Sequence, residues 1–139
     1  MNVAVIGATG RTGQRVTAEL LQRGHHVTAV VRNPSKIQNQ RAVSVVTSDF
    51  SDSEQIAGAL KGAHVVVSAY GAPADEASQV ISVTRCITDA AKQNKQRLLV
   101  VGGAASLFVQ PGVTVLSAGY VSEWRFPSPR HITRYQNEW

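Results

Sequence analysis

Five short apolar runs, rich in β-branched residues, recur along the chain up to residue 102. They are residues 2–7 (NVAVIG), 26–31 (HVTAVV), 42–47 (AVSVVT), 64–69 (HVVVSA) and 97–102 (RLLVVG). Strands buried on both faces of a parallel sheet have this pattern. Helices are predicted between them, at 12–23, after Pro34, at 53–60 and at 76–93. The alternation predicts an α/β fold: a Rossmann-type, doubly wound parallel sheet in the strand order 3-2-1-4-5, forming a single domain.

The ends of two helices also carry sequence signals. Gly24 and Gly62 stand where glycine commonly terminates a helix, after the first and third helical segments. Ser53 precedes the apolar pair Ile56 and Leu60, so it is the predicted N-cap of the third segment.

Composition narrows the class of protein. The 139 residues are enough for one domain, and the 43% apolar and 17% charged fractions are those of an ordinary globular protein. No apolar run reaches the length of a membrane span. The amino-terminal sequence MNVAVIG has no basic region before its apolar stretch, unlike a signal peptide. These features predict a cytoplasmic protein without a membrane partner.

Cysteine, histidine and net charge exclude other kinds of site. The single cysteine, Cys86, cannot form a disulfide framework or a metal cage, and it is expected to be a small packing residue rather than a nucleophile. None of the four histidines has metal-ligand spacing, so no metal site is predicted. The formal charge is +5, but Lys and Arg are scattered rather than clustered, which disfavours nucleic-acid binding.

The first strand runs directly into GATGRTG, residues 7–13. Gly7 permits a sharp exit from the strand, Gly10 lets the backbone approach a pyrophosphate, and Gly13 lets the helix pack close to the sheet. Peptide N–H groups around Arg11 and Thr12 then face the phosphates from a helix N-terminus. Glycines also occur at ordinary strand-to-helix junctions, but the repeating β-α context favours dinucleotide binding.

The residues after the second strand bear on which dinucleotide is bound. NAD-selective sites place a carboxylate there, whereas NADP sites place a basic residue. This chain has VVRNPSK, with Arg32, Ser35 and Lys36 suited to the 2′-phosphate and Arg11 able to join them. The alternative is a solvated basic turn. The pattern predicts NADP as cofactor, with NADPH preferred over NADH.

Five segments together resemble the NmrA-like, atypical short-chain dehydrogenase family of NAD(P)H-binding proteins. They are VIGATGRTG, VVRNPSK, SDFSD, VVVSAYG and VVGGAASLFVQPG, spread over residues 1–116. The resemblance is in particular to its NADH-flavin reductase members and to the related flavin reductase also called biliverdin reductase B. By this resemblance, the pyrophosphate loop comprises Gly7, Thr9, Gly10, Arg11 and Thr12. The residues matching the 2′-phosphate pocket are Arg32, Ser35 and Lys36.

The resemblance implies further contacts at the ends of later strands. Asp49 and Phe50 correspond to a pair that borders the adenine, and the alternative for Asp49 is a helix cap. Tyr70 and Gly71 would pass beside the cofactor, although Tyr70 alone could be a partly buried loop aromatic. Ser106 lies where such proteins place a catalytic hydroxyl near the nicotinamide, and a turn serine is the alternative.

The resemblance implies an NADPH-dependent oxidoreductase that passes hydride to a flavin, a quinone or a tetrapyrrole-like acceptor. No tyrosine has a lysine four residues later, which disfavours an alcohol dehydrogenase. The alternative function is a non-catalytic, NADP-binding redox-sensing module of NmrA type.

The carboxyl-terminal segment departs from the family. We therefore divide the chain into a dinucleotide-binding domain at 1–118 and a divergent aromatic-rich tail at 119–139. Strands that would flank the fifth strand are reduced to VTVLSA, residues 113–118, which leaves an unpaired sheet edge. Self-association through this edge and the tail is predicted.

Overall fold

The computed structural model describes residues 1–37, 41–72, 78–103, 107–115 and 117–118. The chain divides into two compact units. The first comprises Met1–Gly71 and Gln79–Val101, and the second comprises Ala72–Ser78 and Gly102–Trp139. Residues 119–139 lie outside the described residues, so the boundary placed at residue 118 stays a prediction.

The first unit is built on a parallel sheet. Its strands are β1 (Asn2–Ile6), β2 (His26–Val31), β3 (Ser44–Thr47), β4 (Val65–Ser68) and β5 (Arg97–Val100). Their spatial order is β3-β2-β1-β4-β5, and every neighbouring pair is parallel. The predicted Rossmann-type topology is confirmed. β3 begins two residues later than predicted, and β5 ends two residues earlier.

Helices cover both faces of this sheet. They are α1 (Arg11–Gln22), a 3-10 helix (Pro34–Lys36), α2 (Ser53–Leu60) and α3 (Gln79–Gln93). Because side chains alternate along a strand, β1 serves two core clusters. Val3 and Val5 pack with Leu20 of α1, whereas Ala4 and Ile6 belong to the cluster that α2 and α3 complete. The chain therefore winds in opposite directions from β1 and from β4, and their carboxyl ends form the topological switch point.

The ends of the helices follow the local sequence, with one correction. Gly24 has φ +75°, and the backbone N–H groups of Gly24 and His25 donate to the carbonyls of Leu21 and Leu20. This is the glycine-terminated helix end that was predicted. The predicted N-cap of α2 was wrong by one residue: Asp52, not Ser53, is the cap, and its Oδ1 accepts the N–H of Glu54 at 3.0 Å.

The second unit contains a small hairpin. Its strands are β6 (Phe108–Gln110) and β7 (Val113–Thr114), which pair antiparallel around Gly112 at φ +76°. Val113 and Thr114 belong to the segment VTVLSA, and in the structure they pair with β6 in a sheet of their own.

β5 is an edge of the five-stranded sheet, and two of its apolar side chains are exposed. Leu99 is 55% exposed and Val100 is 41% exposed. An edge strand of this kind presents unpaired N–H and C=O groups to another chain. We expect the protein to self-associate through β5, which multi-angle light scattering would detect as a mass above the 14.9 kDa of one chain.

Leu99→Lys should shift this mass toward one chain, because a charge would then lie in the contact. Leu107→Lys is the matched control, since Leu107 is 61% exposed but lies in the second unit. Wild-type protein that elutes only as a single chain would refute the predicted self-association.

Candidate nucleotide-binding site

The loop after β1 lies against the loop after β4. Gly7 has φ +75°, and a Cβ at this position would lie 2.8 Å from the carbonyl oxygen of Ala69 and 3.1 Å from the backbone nitrogen of Tyr70. A side chain here would therefore face both backbone strain and a backbone clash. The sharp exit that the sequence assigned to Gly7 is what the structure contains.

Gly13 lies at the contact between α1 and the same loop. A Cβ on Gly13 would overlap the carbonyl oxygen of Gly7 and lie 2.8 Å from the Cα of Ala8. The helix can approach the end of β1 this closely only because residue 13 has no side chain. Gly10 is exposed, and its N–H donates to the carbonyl of Gly7 at 3.0 Å, which closes the turn.

The amino terminus of α1 has the properties of an anion site. Gly10 is its N-cap residue and offers no capping side chain, and the first turn contains no acidic residue. The first helical hydrogen bond joins the N–H of Gln14 to the carbonyl of Gly10. The N–H groups of residues 11–13 come before it and therefore have no acceptor within the helix. With the positive end of the helix dipole, these groups suit a phosphate. The residues present therefore fit a pyrophosphate.

Three predicted residues of this loop lie beside that helix end. Arg11 and Thr12 are exposed in the first turn of α1, and Thr9 is half-buried just before it. The carbonyl of Thr9 accepts the side-chain amide of Gln14 at 3.0 Å. Gln14 thus ties the loop to the helix, a role that the glycine spacing alone could not reveal.

The basic turn follows the neighbouring strand. β2 pairs with β1 along its length, and the N–H of Gly7 donates to the carbonyl of Val30 at 3.2 Å. Arg32 comes two residues after that carbonyl, and Arg32, Ser35 and Lys36 are all exposed. The structure thus brings two predicted groups, the glycine loop and the basic turn, to adjacent strand ends.

Asn33 organises the basic turn, and sequence reasoning missed it. Its Oδ1 accepts the backbone N–H of Ser35 at 3.0 Å and the Ser35 hydroxyl at 2.7 Å. Because the hydroxyl proton of Ser35 points at Asn33, Ser35 would have to give up this bond to donate to a phosphate. An Asn that precedes Pro at a turn is the sequence signal for this arrangement.

Asp49 is exposed between two buried residues at the end of β3. Its Oδ1 accepts the Ser51 backbone N–H at 2.9 Å and the Ser51 hydroxyl at 2.7 Å. The backbone donor, and then the hydroxyl, lower the pKa of Asp49 below its usual value, because they stabilise the carboxylate. Asp49 is not the cap of α2, so that alternative interpretation is wrong.

Phe50, which comes after β3, and Tyr70, which comes after β4, are in contact. The Phe50 side chain is only 2% exposed and belongs to the core cluster of α2 and α3. Its ring meets that of Tyr70 edge to face, with centroids 5.7 Å apart and an interplanar angle of 72°. Tyr70 is half-buried and Gly71 is exposed. The Phe50 ring is therefore part of the hydrophobic core at the carboxyl ends of β3 and β4, and it is not exposed to solvent.

A cavity of about 350 Å³ lies beneath the basic turn, on the α1 face of the sheet. Among the described residues that line it are Ala8, Thr17, Leu21, Ala29, Lys36 and Val43. Of the predicted cofactor residues, only Lys36 is in this lining. The cavity also borders Gln14 in the first turn of α1, but its lining contains none of the predicted pyrophosphate-loop residues, and we do not assign the dinucleotide to it.

The structure describes some of the remaining predicted positions but not Ser106. Ser106 lies outside the described residues, so its role stays a prediction. Cys86 is half-buried on α3 against the core, in keeping with a packing residue. Within the described ranges, no three His, Cys, Asp or Glu residues are grouped as metal ligands. No helix in the same ranges is long and apolar enough to cross a membrane.

Comparison with known proteins agrees with this geometry. Residues 7–124 match the model of a family described as NAD(P)H-binding. The uncharacterised protein YwnB of Bacillus subtilis is 40% identical over 115 residues, which are 82% of this chain and 53% of YwnB.

Two solved structures show the same fold. A Bacteroides thetaiotaomicron protein, provisionally named an epimerase, has a TM-score of 0.79 and 37% identity over 88% of this chain and 56% of its own. A Streptococcus pneumoniae protein, provisionally named an NADH-flavin reductase, has a TM-score of 0.75 and 32% identity, over 88% of this chain and 58% of its own. The chain thus spans slightly more than half the length of these relatives.

Proposed function

Because the chain belongs to the NAD(P)H-binding family, we propose that it is an NADPH-dependent reductase that passes hydride to a flavin or a similar conjugated acceptor. The observation that supports this most directly is the uncapped N-terminus of α1 beside a basic turn. A cytoplasmic location is part of the same proposal.

The glycine loop holds the pyrophosphate in this proposal. The N–H groups at the start of α1 donate to its oxygens, and Arg11 adds a charge at the exposed first position of the helix. Gly10 leaves the approach open because it has no side chain. No acidic residue in the first turn opposes the anion.

The basic turn selects NADPH over NADH. Arg32 offers paired donors to the 2′-phosphate, and Lys36 contributes a point charge from the 3-10 helix. No carboxylate stands in the segment 32–37, so a ribose 2′-hydroxyl lacks the acceptor that NAD-selective sites provide. The Asp49 carboxylate, which keeps its charge at neutral pH, borders the adenine at the end of the next strand.

The nicotinamide supplies the hydride when the cofactor is bound, and the protein supplies orientation and a pocket. Tyr70 and Gly71 follow β4 at the switch point and border the cofactor. Ser106, beyond β5 in the sequence, is proposed to stand near the nicotinamide and the acceptor. The provisional name of the Streptococcus relative supports a flavin as that acceptor.

Purified protein is expected to oxidise NADPH with FMN or FAD over many turnovers, measured as loss of NADPH absorbance under anaerobic conditions. Ser106→Ala should lower kcat while leaving the Kd for NADPH unchanged, because the nucleotide contacts lie elsewhere. NADPH binding without turnover on FMN, FAD or a quinone would overturn the reductase proposal.

The second candidate function is a redox-sensing module of NmrA type that binds NADP without catalysis. The observation that favours it is that none of the three tyrosines has the following lysine that alcohol-acting relatives use. A sensor should discriminate NADPH from NADP⁺ without consuming either one. Equilibrium titration with both forms, run beside the turnover assay, separates the two functions.

A further inference from the structure

Ser48 is a buried polar residue that none of the nucleotide contacts described above uses. It follows β3 directly and is 2% exposed. Its N–H donates to the carbonyl of Val31 at 3.0 Å, which extends the β2–β3 ladder by one step. The backbone of Ser48 is therefore fixed to the sheet, and its side chain points into the protein.

The Ser48 hydroxyl makes two hydrogen bonds. Its oxygen accepts the N–H of Phe50 at 3.2 Å, and its proton is donated to Oε1 of Gln55 on α2 at 3.1 Å. The hydroxyl thus bridges the strand end to the first turn of the following helix. A buried donor and acceptor left without such partners are unfavourable, so this bridge stabilises one loop conformation.

The loop conformation that it stabilises is an unusual one. Phe50 has φ +65°, in the left-handed region that a bulky residue rarely adopts. Asn and Asp enter this region more readily because of their side-chain hydrogen bonds, but Phe has no such bond of its own. The surrounding structure must hold Phe50 there, and the Ser48 hydroxyl is the group that binds its N–H.

The turn at Phe50 determines where Asp49 lies. Asp49 stands between the two bonded residues and is exposed, while Ser48 and Phe50 are buried. The same turn places the Phe50 ring against Tyr70, whose backbone nitrogen lies beside Gly7. The Ser48 hydroxyl is thereby connected to the ends of β1, β3 and β4.

We propose that Ser48 is a positioning residue of the nucleotide site, whose hydroxyl holds the left-handed turn at Phe50 and so directs the Asp49 carboxylate toward the adenine end. This inference rests on the proposed NADPH site. Ser48 does not touch the nucleotide. It acts through Asp49.

The test measures the two halves of the dinucleotide separately, by calorimetric titration with 2′,5′-ADP and with reduced nicotinamide mononucleotide. Ser48→Ala should raise the Kd for 2′,5′-ADP about fivefold to tenfold, the effect of one neutral hydrogen bond, and leave the nicotinamide half nearly unchanged. Ser48→Thr, which keeps the hydroxyl, should recover most of this affinity. Ser44→Ala, the same change at the exposed start of β3, is the matched control.

A double-mutant cycle identifies the route of the effect. In an Asp49→Ala background, Ser48→Ala should add little further loss, because the carboxylate that it directs is then absent. Gln55→Ala removes the second bond of the bridge from the exposed side of α2 and should shift 2′,5′-ADP affinity in the same direction, even if Ser48→Ala fails to fold.

The outcomes separate this inference from the proposed function. If wild-type protein bound neither 2′,5′-ADP nor NADPH, the nucleotide site itself would be wrong. If wild-type protein bound 2′,5′-ADP, and both Ser48→Ala and Gln55→Ala bound it equally well, the positioning role would be wrong while the site stood. Additive losses in the cycle would also overturn a role exerted through Asp49.

Discussion

Gly13→Ala is expected to lower the free energy of unfolding by about 3 kcal/mol and to abolish nucleotide binding. The added methyl group would overlap the carbonyl oxygen of Gly7 and lie 2.8 Å from the Cα of Ala8. Both are backbone atoms, so no side chain can rotate out of the way. The helix must move away from the end of β1, which displaces the N–H groups that face the phosphates.

Gly58→Ala is the matched control. Gly58 is also a helical glycine, but it is exposed on α2 and a Cβ there meets nothing within 4 Å. The substitution should raise stability by about 0.5 to 1 kcal/mol, because alanine loses less backbone entropy on folding. Urea unfolding of both variants checks the pair, with an unchanged m-value showing that the midpoints report stability. Equal midpoints for Gly13→Ala and wild-type protein would contradict the tight contact.

Local signals explain why most of the fold could be predicted from the sequence. The five strands were visible because buried parallel strands are nearly continuous β-branched runs, which few other elements are. The sharp turn at Gly7 and the helix end at Gly24 could be predicted because backbone conformations with positive φ favour glycine. The predicted N-cap of α2 was wrong by one residue because Asp52 and Ser53 are adjacent and both residue types are good N-caps.

The parts of the site that were missed depend on side-chain hydrogen bonds. Ser48 and Gln55 are ordinary polar residues in the sequence, and their roles depend on distances of about 3 Å between groups that folding brings together. Asn33 is different, because its bonds to Ser35 are local and the following proline was a signal for them. The left-handed conformation of Phe50 could not be foreseen, because Phe has no preference for it. Burial of the Phe50 ring likewise follows from α2 and α3 rather than from the motif SDFSD.

Arg32→Ala is expected to raise the Kd for NADPH roughly tenfold to a hundredfold while changing the Kd for NADH less than about twofold. Arg32 follows β2, whose carboxyl end lies beside the glycine loop, so Arg32 is at the edge of the sheet where the 2′-phosphate is proposed to bind. NADH has no phosphate at this position and loses nothing when the charge is removed. Fluorescence titration with both nucleotides measures the difference.

Two further variants separate the contribution of the Arg32 charge from that of its paired donors. Arg32→Lys keeps the charge but loses the paired donors, so its NADPH affinity should lie between those of wild-type protein and Arg32→Ala. Arg97→Ala removes an exposed arginine at the start of β5, the opposite end of the sheet, and should leave the preference for NADPH intact. Equal losses of NADPH and NADH affinity in Arg32→Ala would place the 2′-phosphate elsewhere. Selectivity that weakens with rising ionic strength in wild-type protein, but not in Arg32→Ala, would identify the guanidinium as its source.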